Sequence, residues 1–400
     1  MKTPDVPPPS LPNRSTRPGR PIPIGASIGG RFRPSPFIPF YEHMIGPDAV
    51  FAAYSWHLSP AYLGEDVTAE YWHLRRQATL FDVVEHPIEF VGPDAARFLD
   101  YLMTRNISAM KVGRCGYGLI CYQDGGILMD GVLIRLAEDR FRYVLADGEI
   151  FSWLKAHQPG FDVEIRDTAD WVLQIQGPNA LKVLDAVCDG GAPAPFTYFA
   201  AATVAMGGQP FLISRTGWTG ELGFEIYVPE ETDHAALWQH LHAKGEPFGL
   251  RFASMAPMDI RRIEAGILDN GIDMDSTMTP FAAGLGAFVD FGKGDFIGRD
   301  ALGKSDRRPR LLGLRAVGSA LEAGMKLSID GRAVGRISAG GWSPFLACGI
   351  GYARFDNPGD WAGQRVLCGD GPAALEAEAM VLPFYDPAKR IPRGLDTTIP

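Results

Sequence analysis

The chain has 400 residues, 46% of them hydrophobic, which is enough for a large buried core divided among two or three domains. Its net charge of -9 and isoelectric point near 5.4 argue against a nucleic-acid-binding protein, which would carry a basic face. No apolar run reaches the roughly 18–20 residues that span a bilayer, and the first residues lack the apolar region of a secretory signal. We therefore expect a cytoplasmic protein that binds neither nucleic acid nor membrane.

Several common catalytic motifs are missing from the sequence. It has no GxxxxGK[ST] phosphate loop, no HExxH zinc motif and no GxSxG nucleophile elbow. The five cysteines are an odd number without a Cys-x-x-Cys pair, and the histidines show no metal-ligand spacing. We therefore predict neither a disulfide framework nor a metal site.

The predicted elements begin after a proline-rich arm, residues 1–40, whose composition is incompatible with regular helix or sheet. From Tyr71 onward the pattern is that of a globular protein. A strand, a glycine-proline turn and a helix follow one another at 88–102 and again at 171–187, which indicates an internal repeat. In the first copy, Asp94 is placed to cap the helix.

Three strands are predicted over residues 115–147, and the Asp-Gly-Gly turn at 124–126 joins the first two. Asp130 follows this turn inside an apolar run, where a carboxylate is unfavourable unless it is solvated or hydrogen-bonded. It therefore either faces water from an edge strand or belongs to a site. Tyr117, on the paired strand, either packs against its cross-strand neighbours or contacts a ligand.

The stretch SRTGWTGELGFEIYVP, residues 214–229, is a glycine-rich turn that leads into an alternating strand. Glu225 and Tyr227 share one face of this strand, and the apolar residues share the other. Glu225 therefore either faces solvent or points at a ligand. Trp218 either stacks on that ligand or packs beneath the turn, and Arg215 either meets an anionic group or forms a surface salt bridge.

The pattern then changes from helices to short strands. MDIRRIEAGI predicts a helix, and in TPFAAGLG Thr279 and Pro280 are placed as the N-cap and the first residue of another helix. After about residue 305, short glycine-rich strands predict a small antiparallel barrel or sandwich. The whole chain is therefore predicted to be α+β with an all-β C-terminal domain.

These motifs resemble those of the glycine cleavage T-protein (aminomethyltransferase) family. SRTGWTGELGFEIYVP resembles its SRTGYTGEDGFEI segment, and IRRIEAGILDNGIDMDSTMTPFAAGLGAFVDFGKGDFIGRDAL looks like its RLEAG–KGDFIG region. LFDV, VGPDAARFLDYLMTRNIS, GRCGYGLICYQDGGILMD and QIQGPNA fall in the family's order. The resemblance spans roughly 70–390. It implies a three-domain cloverleaf whose C-terminal domain is an antiparallel β-barrel or jelly-roll-like domain, around a central hole that folate enters.

The resemblance also implies tetrahydrofolate as the cofactor and N5 of its pterin as the atom that carries the one-carbon unit. Asp130 then takes the family's acidic catalytic position, and Glu225 and Tyr117 its pterin-binding positions. A carboxylate suits the N–H edge of a pterin because it accepts two hydrogen bonds at once. A buried carboxylate near N5 can stabilise positive charge or move a proton. We also place Trp218 and Arg215 among the folate-binding residues.

The resemblance also implies a division of the chain into an N-terminal arm, a folate-binding core of two interleaved α+β domains, a C-terminal barrel domain and a short tail. The expected bounds are 1–40 for the arm, 41–304 for the core, 305–390 for the barrel and 391–400 for the tail.

The sequence departs from the family at two arginines. Met258 stands where a ligand-binding arginine is expected, and ALEAEAMVLPF lacks the arginine expected before LPF. The SPF of the arm, YEHM at 41–44 and LMTRNIS at 102–108 resemble the dimethylsulfoniopropionate demethylase branch of the family. We therefore hypothesise a demethylase that moves a methyl group from a small onium, N-methyl or O-methyl donor to N5 of tetrahydrofolate. Tyr54, Trp56 and His57 are the residues predicted to bind that donor.

Two alternatives stay open. The first is the glycine cleavage T-protein reaction, in which an aminomethyl group arrives on a lipoyl carrier protein and the product is 5,10-methylene-tetrahydrofolate. The second is a non-enzymatic folate-binding protein, which is disfavoured because residues 293–300 read KGDFIGRD and lack the cysteine of such proteins' K-G-C-Y-x-G-Q-E motif. The chain is expected to be a monomer or a homodimer.

Overall fold

The computed structural model describes residues 33–145 and 148–400, so most of the predicted proline-rich arm lies outside the described residues. The strands are β1 (Arg33–Pro34), β2 (Val50–Tyr54), β3 (His57–Tyr62), β4 (Ala78–Val83), β5 (His86–Val91), β6 (Cys115–Cys121), β7 (Ile127–Ala137), β8 (Arg140–Leu145), β9 (Glu164–Asp167), β10 (Trp171–Gln176), β11 (Ala201–Met206), β12 (Gln209–Ser214), β13 (Gly223–Val228), β14 (Leu250–Phe252), β15 (Leu311–Ala316), β16 (Lys326–Ile329), β17 (Arg332–Ser343), β18 (Cys348–Phe355), β19 (Arg365–Cys368) and β20 (Leu375–Met380). The helices are α1 (Ile38–Tyr41), α2 (Val67–Arg76), α3 (Ala95–Leu102), α4 (Phe151–His157), α5 (Ala180–Val187), α6 (His234–Gly245), α7 (Ala256–Ala265) and α8 (Arg299–Lys304). Within these two ranges, no helix has the length and apolar character needed to cross a membrane.

Aromatic packing anchors the first described segment to the body of the protein. Strands β1–β3 form a small sheet in the order β1-β3-β2, so the expectation that residues 1–40 contain no regular helix or sheet is wrong for β1 and for the start of α1. Phe37 stacks on Trp238 with ring centroids 5.8 Å apart, and Tyr41 stacks on Phe252 at 4.4 Å. Because Phe37 and Tyr41 are fully buried, this segment is part of the hydrophobic core.

The chain alternates between two larger sheets. One has six strands in the order β11-β12-β13-β10-β4-β14, and the other has five in the order β6-β7-β8-β5-β9. Strands β4 and β5 are consecutive in sequence but lie in different sheets, and so do β9 and β10. These crossings bring the two sheets together at the site described below.

The internal repeat appears as β5 followed by α3 and β10 followed by α5. Its turn glycines are required by close backbone packing. A Cβ on Gly92 would lie 2.4 Å from the Asp162 carbonyl oxygen, and one on Gly177 would lie 2.4 Å from that of Gln77. Asp94 lies at the N-cap position of helix α3, as predicted, but its carboxylate accepts hydrogen bonds from the Arg97 guanidinium and the Asp162 amide rather than from an amide of the helix.

The helix predicted in TPFAAGLG does not form, and this prediction is wrong. This segment forms consecutive turns, and the Thr279 hydroxyl oxygen accepts a hydrogen bond from the Ala282 amide at 3.2 Å. Phe281, Ala282 and Ala283 are buried, so tertiary packing holds the segment in place. Thr279 therefore forms the kind of local turn that can begin a helix, but no helix follows it.

Strands β15–β20 close into a barrel in the order β15-β18-β17-β16-β19-β20, with every pair antiparallel. Its interior holds an apolar cluster that includes Leu314, Ile337 and Phe355. Closure removes the exposed strand edges that a six-stranded sheet would otherwise present. The predicted α+β class with a C-terminal antiparallel barrel is confirmed.

A buried network of two arginines and two glutamates joins the core helices to the barrel. Arg75 on α2 and Arg261 on α7 both form ion pairs with Glu221 and with Glu264. The side chains of all four are at most 4% exposed. Glu264 also accepts hydrogen bonds from three hydroxyls, namely those of Tyr71, Ser343 of β17 and Tyr385 beyond the barrel. Every charge in this network therefore has a partner of opposite sign.

Candidate functional site

A cavity of about 300 Å³ is lined by β7 and β8 of the five-stranded sheet and by β13 of the six-stranded sheet. The turn at 216–221, the loop at 266–270 and residues of the C-terminal segment also contribute to its walls. The polar side chains that line it are those of Glu85, Tyr117, Asp130, Tyr198, Thr216, Trp218, Glu221, Glu225, Asp269, Asn270 and Lys389. The structure thus brings Tyr117, Asp130, Trp218 and Glu225 to one cavity.

Glu225 faces this cavity because of the strand register. It is paired with Gln174 on β10 and with Ser214 on β12, and both neighbours donate hydrogen bonds to its carboxylate at 3.2 Å. Thr216 and Tyr227 donate from their hydroxyls at 2.8 Å each. Burial raises the pKa of Glu225, and the three hydroxyl donors oppose that rise. Only 4% of Glu225 is exposed, so it is not on a solvated outer face.

Glu85, which no motif in the sequence marks, is a second carboxyl group in the cavity. It follows β4, and its Oε1 accepts a hydrogen bond from Gln174 Nε2 at 3.1 Å. Burial and the charge of Glu225 raise the pKa of Glu85 well above its usual range. In the sequence, a glutamate at the end of a strand looks like a solvated turn residue, so no local signal identifies it.

Asp130 and Tyr117 lie on the other wall of the cavity. Tyr117 is paired with Val132, so its ring is diagonal to Asp130 on the neighbouring strand. The Tyr117 hydroxyl donates to Asp130 Oδ2 at 2.8 Å. Burial raises the pKa of Asp130 to about 6, and the hydrogen bond from Tyr117 limits that rise. Asp130 can therefore gain or lose a proton close to neutral pH.

Trp218 lines both this cavity and a smaller one of about 60 Å³. Both cavities also share Asp269, and Tyr54 lines only the smaller one. Trp56 is 46% exposed at a hairpin turn, and His57 packs edge-on against Trp171. Of the three residues predicted to bind the methyl donor, Tyr54 is therefore the one found among the described lining residues of the two cavities.

Arg215 lies outside the central cavity, in an adjoining mouth of about 690 Å³. Its guanidinium donates to the carbonyl oxygens of Phe196 and Pro392, and burial lowers its pKa. The cationic side chains that line this mouth, here called the basic mouth, are those of Arg105, Arg114, Arg215, Lys389 and Arg393. Within the described residues, none of the five forms an ion pair, although the chain as a whole is acidic.

The glycine-rich turn is explained first by packing inside the protein. A Cβ on Gly217 or on Gly223 would lie 2.2 Å from the side-chain amide of Gln176. Gln176 in turn accepts a hydrogen bond from the Thr219 hydroxyl at 2.8 Å. Both glycines also line the cavity, so the turn presents backbone to whatever binds there.

In chemical terms, the site offers carboxylate acceptors for N–H groups, a carboxyl that titrates near pH 6 and a tryptophan face. The basic mouth beside it suits an anion. Among the described residues, no cluster of three or more histidine, cysteine, aspartate or glutamate side chains is arranged to hold a metal ion.

Comparison with known proteins agrees with this architecture. Residues 40–293 match the family described as the GCVT N-terminal domain, and residues 310–386 match the glycine cleavage T-protein C-terminal barrel domain. These matches define a protein with a GCVT-type body followed by its characteristic barrel. The chain belongs to the glycine cleavage T-protein family.

Individual relatives extend over most of the chain. An aminomethyltransferase of Streptomyces coelicolor is 36% identical over 332 residues, which is 79% of this chain and 88% of the relative. One of Alkaliphilus oremlandii is 32% identical over 342 residues, 82% of this chain and 92% of the relative. The crystal structure of glycine cleavage system aminomethyltransferase T from Bartonella henselae superposes with a TM-score of 0.80 at 27% identity, covering 88% of this chain and 98% of that one.

Proposed function

We propose that the protein is a tetrahydrofolate-dependent one-carbon transferase that works in the central cavity. The observation that carries this proposal is the placement of buried Glu225 and titratable Asp130 around one cavity of about 300 Å³. The carboxylate of Glu225, which its neighbours hold in a fixed orientation, is a suitable acceptor for a flat heterocycle with several N–H groups on its edge. The relatives named aminomethyltransferase support the same class of reaction.

Glu225 is the proposed pterin contact. Three of its four hydrogen-bond donors bind Oε2, so Oε1 keeps acceptor capacity for a ligand. Replacing it with glutamine introduces an amide N–H where an acceptor is needed, and Glu225→Gln is expected to weaken tetrahydrofolate binding about 10- to 150-fold. Calorimetric titration measures this effect. Glu230→Gln, an exposed position just after the same strand, is the matched control and should bind as the unmodified chain does. Equal affinity of the Glu225 and Glu230 variants would contradict the assignment.

Asp130 is the proposed catalytic group. When bound, tetrahydrofolate supplies N5 as the nitrogen that carries the one-carbon unit. The Asp130 carboxylate can stabilise positive charge near that nitrogen or hold a proton in transit, and the Tyr117 hydroxyl fixes its orientation. Trp218 and the surrounding glycine-rich backbone line the same space.

The basic mouth is the proposed site for the anionic tail of folate. Removing Lys389 and Arg393 together should weaken binding of a triglutamyl folate about two- to fivefold per cation, more at low salt than at high salt. The affinity for a monoglutamyl folate, which carries fewer carboxylates, should fall by a smaller factor. Arg365→Ala, an exposed barrel residue paired with Glu376, is the control. If the double variant binds both folates as the unmodified chain does, the tail lies elsewhere.

The identity of the one-carbon group is a further part of the proposal. The relatives' name supports an aminomethyl group. We infer that a lipoyl carrier protein delivers it, as the resemblance of the sequence motifs implies. In that case the product is 5,10-methylene-tetrahydrofolate. The chain spans most of the length of these relatives, which supports transfer of their activity as a whole.

A specific observation favours the second candidate, a demethylase. Met258 fills the position of the family's ligand-binding arginine and is fully buried. In addition, the smaller cavity combines the rings of Trp218 and Tyr54 with the carboxylates of Asp259 and Asp269. The Arg262 guanidinium lines it as well, pairs with Asp259 at 2.7 Å and lies 5.0 Å from the centroid of the Trp218 ring. Two carboxylates against one guanidinium leave the lining with a net negative charge, which together with the aromatic rings suits a small onium donor.

A product assay separates the two candidates. The full chain is incubated with tetrahydrofolate and either an aminomethyl-loaded lipoyl carrier or a panel of methylated sulfonium, quaternary ammonium and methoxy compounds. Formation of 5,10-methylene-tetrahydrofolate with the carrier supports the aminomethyl reaction, and 5-methyl-tetrahydrofolate with a small donor supports demethylation. A chain that binds tetrahydrofolate but forms neither product would favour the non-enzymatic alternative.

A further inference from the structure

Two carboxyl groups in the central cavity share one hydrogen-bond donor. Gln174 Nε2 donates to Glu85 Oε1 at 3.1 Å and to Glu225 Oε1 at 3.2 Å. Both glutamates line the cavity. Two carboxyl groups held this closely in a buried site do not both carry a full negative charge.

The hydrogen bonds around the pair show which member holds the charge. Glu225 accepts from Gln174 and also from three hydroxyls. Glu85 accepts only from Gln174, and its buried Oε2 has no hydrogen-bond partner among the described residues. Four donors stabilise a carboxylate far better than one does, so the negative charge belongs on Glu225 and the shared proton on Glu85.

We propose that Glu85 contacts the pterin ring as a neutral carboxylic acid, donating a hydrogen bond from Oε2 to a ring acceptor while Glu225 accepts from the ring N–H groups. This inference rests on the proposed function and adds a specificity-determining residue to it. The 2-amino-4-oxo edge of a pterin presents acceptors beside donors. An ionised and a protonated carboxyl group placed together match that alternation, which two carboxylates would not.

The protonated form of Glu85 gives ligand binding a defined pH dependence. Binding should weaken as the pH rises through the pKa of Glu85, since ionisation removes the donor and places a second negative charge beside Glu225. The cavity also contains other groups that titrate or carry charge, namely Tyr117, Asp130, Tyr198, Glu221, Tyr227 beneath Glu225, Asp269 and Lys389. The contribution of Glu85 must therefore be measured by comparing the pH dependence of ligand binding in the unmodified chain with that in variants that change Glu85 and keep all of these groups.

Glu85→Gln and Glu85→Leu provide that difference. Glutamine reproduces the hydrogen bonding of a protonated glutamate, with one acceptor for Gln174 and one donor for the ligand, but it does not titrate. Tetrahydrofolate affinity of Glu85→Gln should stay within about threefold of the unmodified chain, and that of Glu85→Leu should fall about tenfold or more. At high pH the unmodified chain should lose affinity that Glu85→Gln keeps. Circular dichroism establishes that each variant is folded, and infrared spectra of the ligand-free chain should lose a protonated-carboxyl band in Glu85→Gln.

The outcomes are distinct. If Glu85→Gln loses as much affinity as Glu85→Leu, Glu85 acts as a carboxylate and the inference is wrong. If neither variant changes affinity, Glu85 does not touch the ligand, and the inference is equally wrong while the proposed function stands. If the folded, unmodified chain binds no tetrahydrofolate at all, the proposed function is wrong, and so is this inference, which rests on it.

Discussion

Replacing Asp130 with asparagine is expected to lower kcat about 10²- to 10⁴-fold while tetrahydrofolate still binds, because the variant keeps the shape of the side chain and loses its charge and proton affinity. The amide oxygen introduced by Asp130→Asn can still accept the hydrogen bond that Tyr117 donates at 2.8 Å, so the cavity wall should be preserved. Single-turnover kinetics and calorimetric titration of the same preparations separate the chemical step from binding.

The pH profile gives a second measure of the same residue. The pKa of Asp130 in the ligand-free chain is raised to about 6, so its carboxylate form predominates above that pH and kcat/KM should rise with pH towards a plateau. In Asp130→Asn this rise with pH, the acid limb of the profile, should be absent. Asp124→Asn, in the hairpin turn before the same strand, is the control, since its carboxylate only accepts from the Gly126 amide. A variant at Asp130 with unchanged kcat and an unchanged acid limb would exclude it as the catalytic group.

Removing Glu264 is expected to destabilise the protein by about 3–5 kcal/mol, since it leaves two buried arginines short of negative charge. Glu264 is fully buried, and ion pairs of 3.5 Å and 3.3 Å join it to Arg75 and Arg261. It also binds hydroxyls from the barrel and from α2, so its loss should loosen the barrel from the core. The midpoint of denaturant unfolding for Glu264→Ala measures the effect.

An exposed pair provides the comparison. Glu376 and Arg365 form an ion pair on the barrel surface with side chains 58% and 78% exposed. Glu376→Ala should therefore change the free energy of unfolding by at most about 1 kcal/mol. If Glu264→Ala were as mild as this control, the buried network would not be what joins the barrel to the core.

The sequence predicted those features that depend on local periodicity. The alternation in GFEIYV placed Glu225 and Tyr227 on one face, and the structure joins their side chains by a hydrogen bond of 2.8 Å. The strand–turn–helix repeat and the six short strands of the barrel follow from the same kind of pattern. The ordered motifs then gave the family, which the comparisons confirm.

Features that depend on contacts between distant segments could not be predicted in this way. Glu85 is functional in our proposal only because Gln174 holds it beside Glu225, which lies 140 positions further along the chain. The basic mouth likewise collects cations from four separate stretches of sequence. The helix expected in TPFAAGLG failed for a related reason, since burial of its phenylalanine and alanines against other segments decided its backbone.

The cavity between the two sheets is, in our proposal, the tetrahydrofolate-binding site. Calorimetric titration of the full chain with tetrahydrofolate under reducing conditions tests this most directly. We expect saturable binding of one tetrahydrofolate per chain that is weakened in Glu225→Gln and retained in Asp130→Asn. A folded chain that shows no saturable binding of tetrahydrofolate would contradict it.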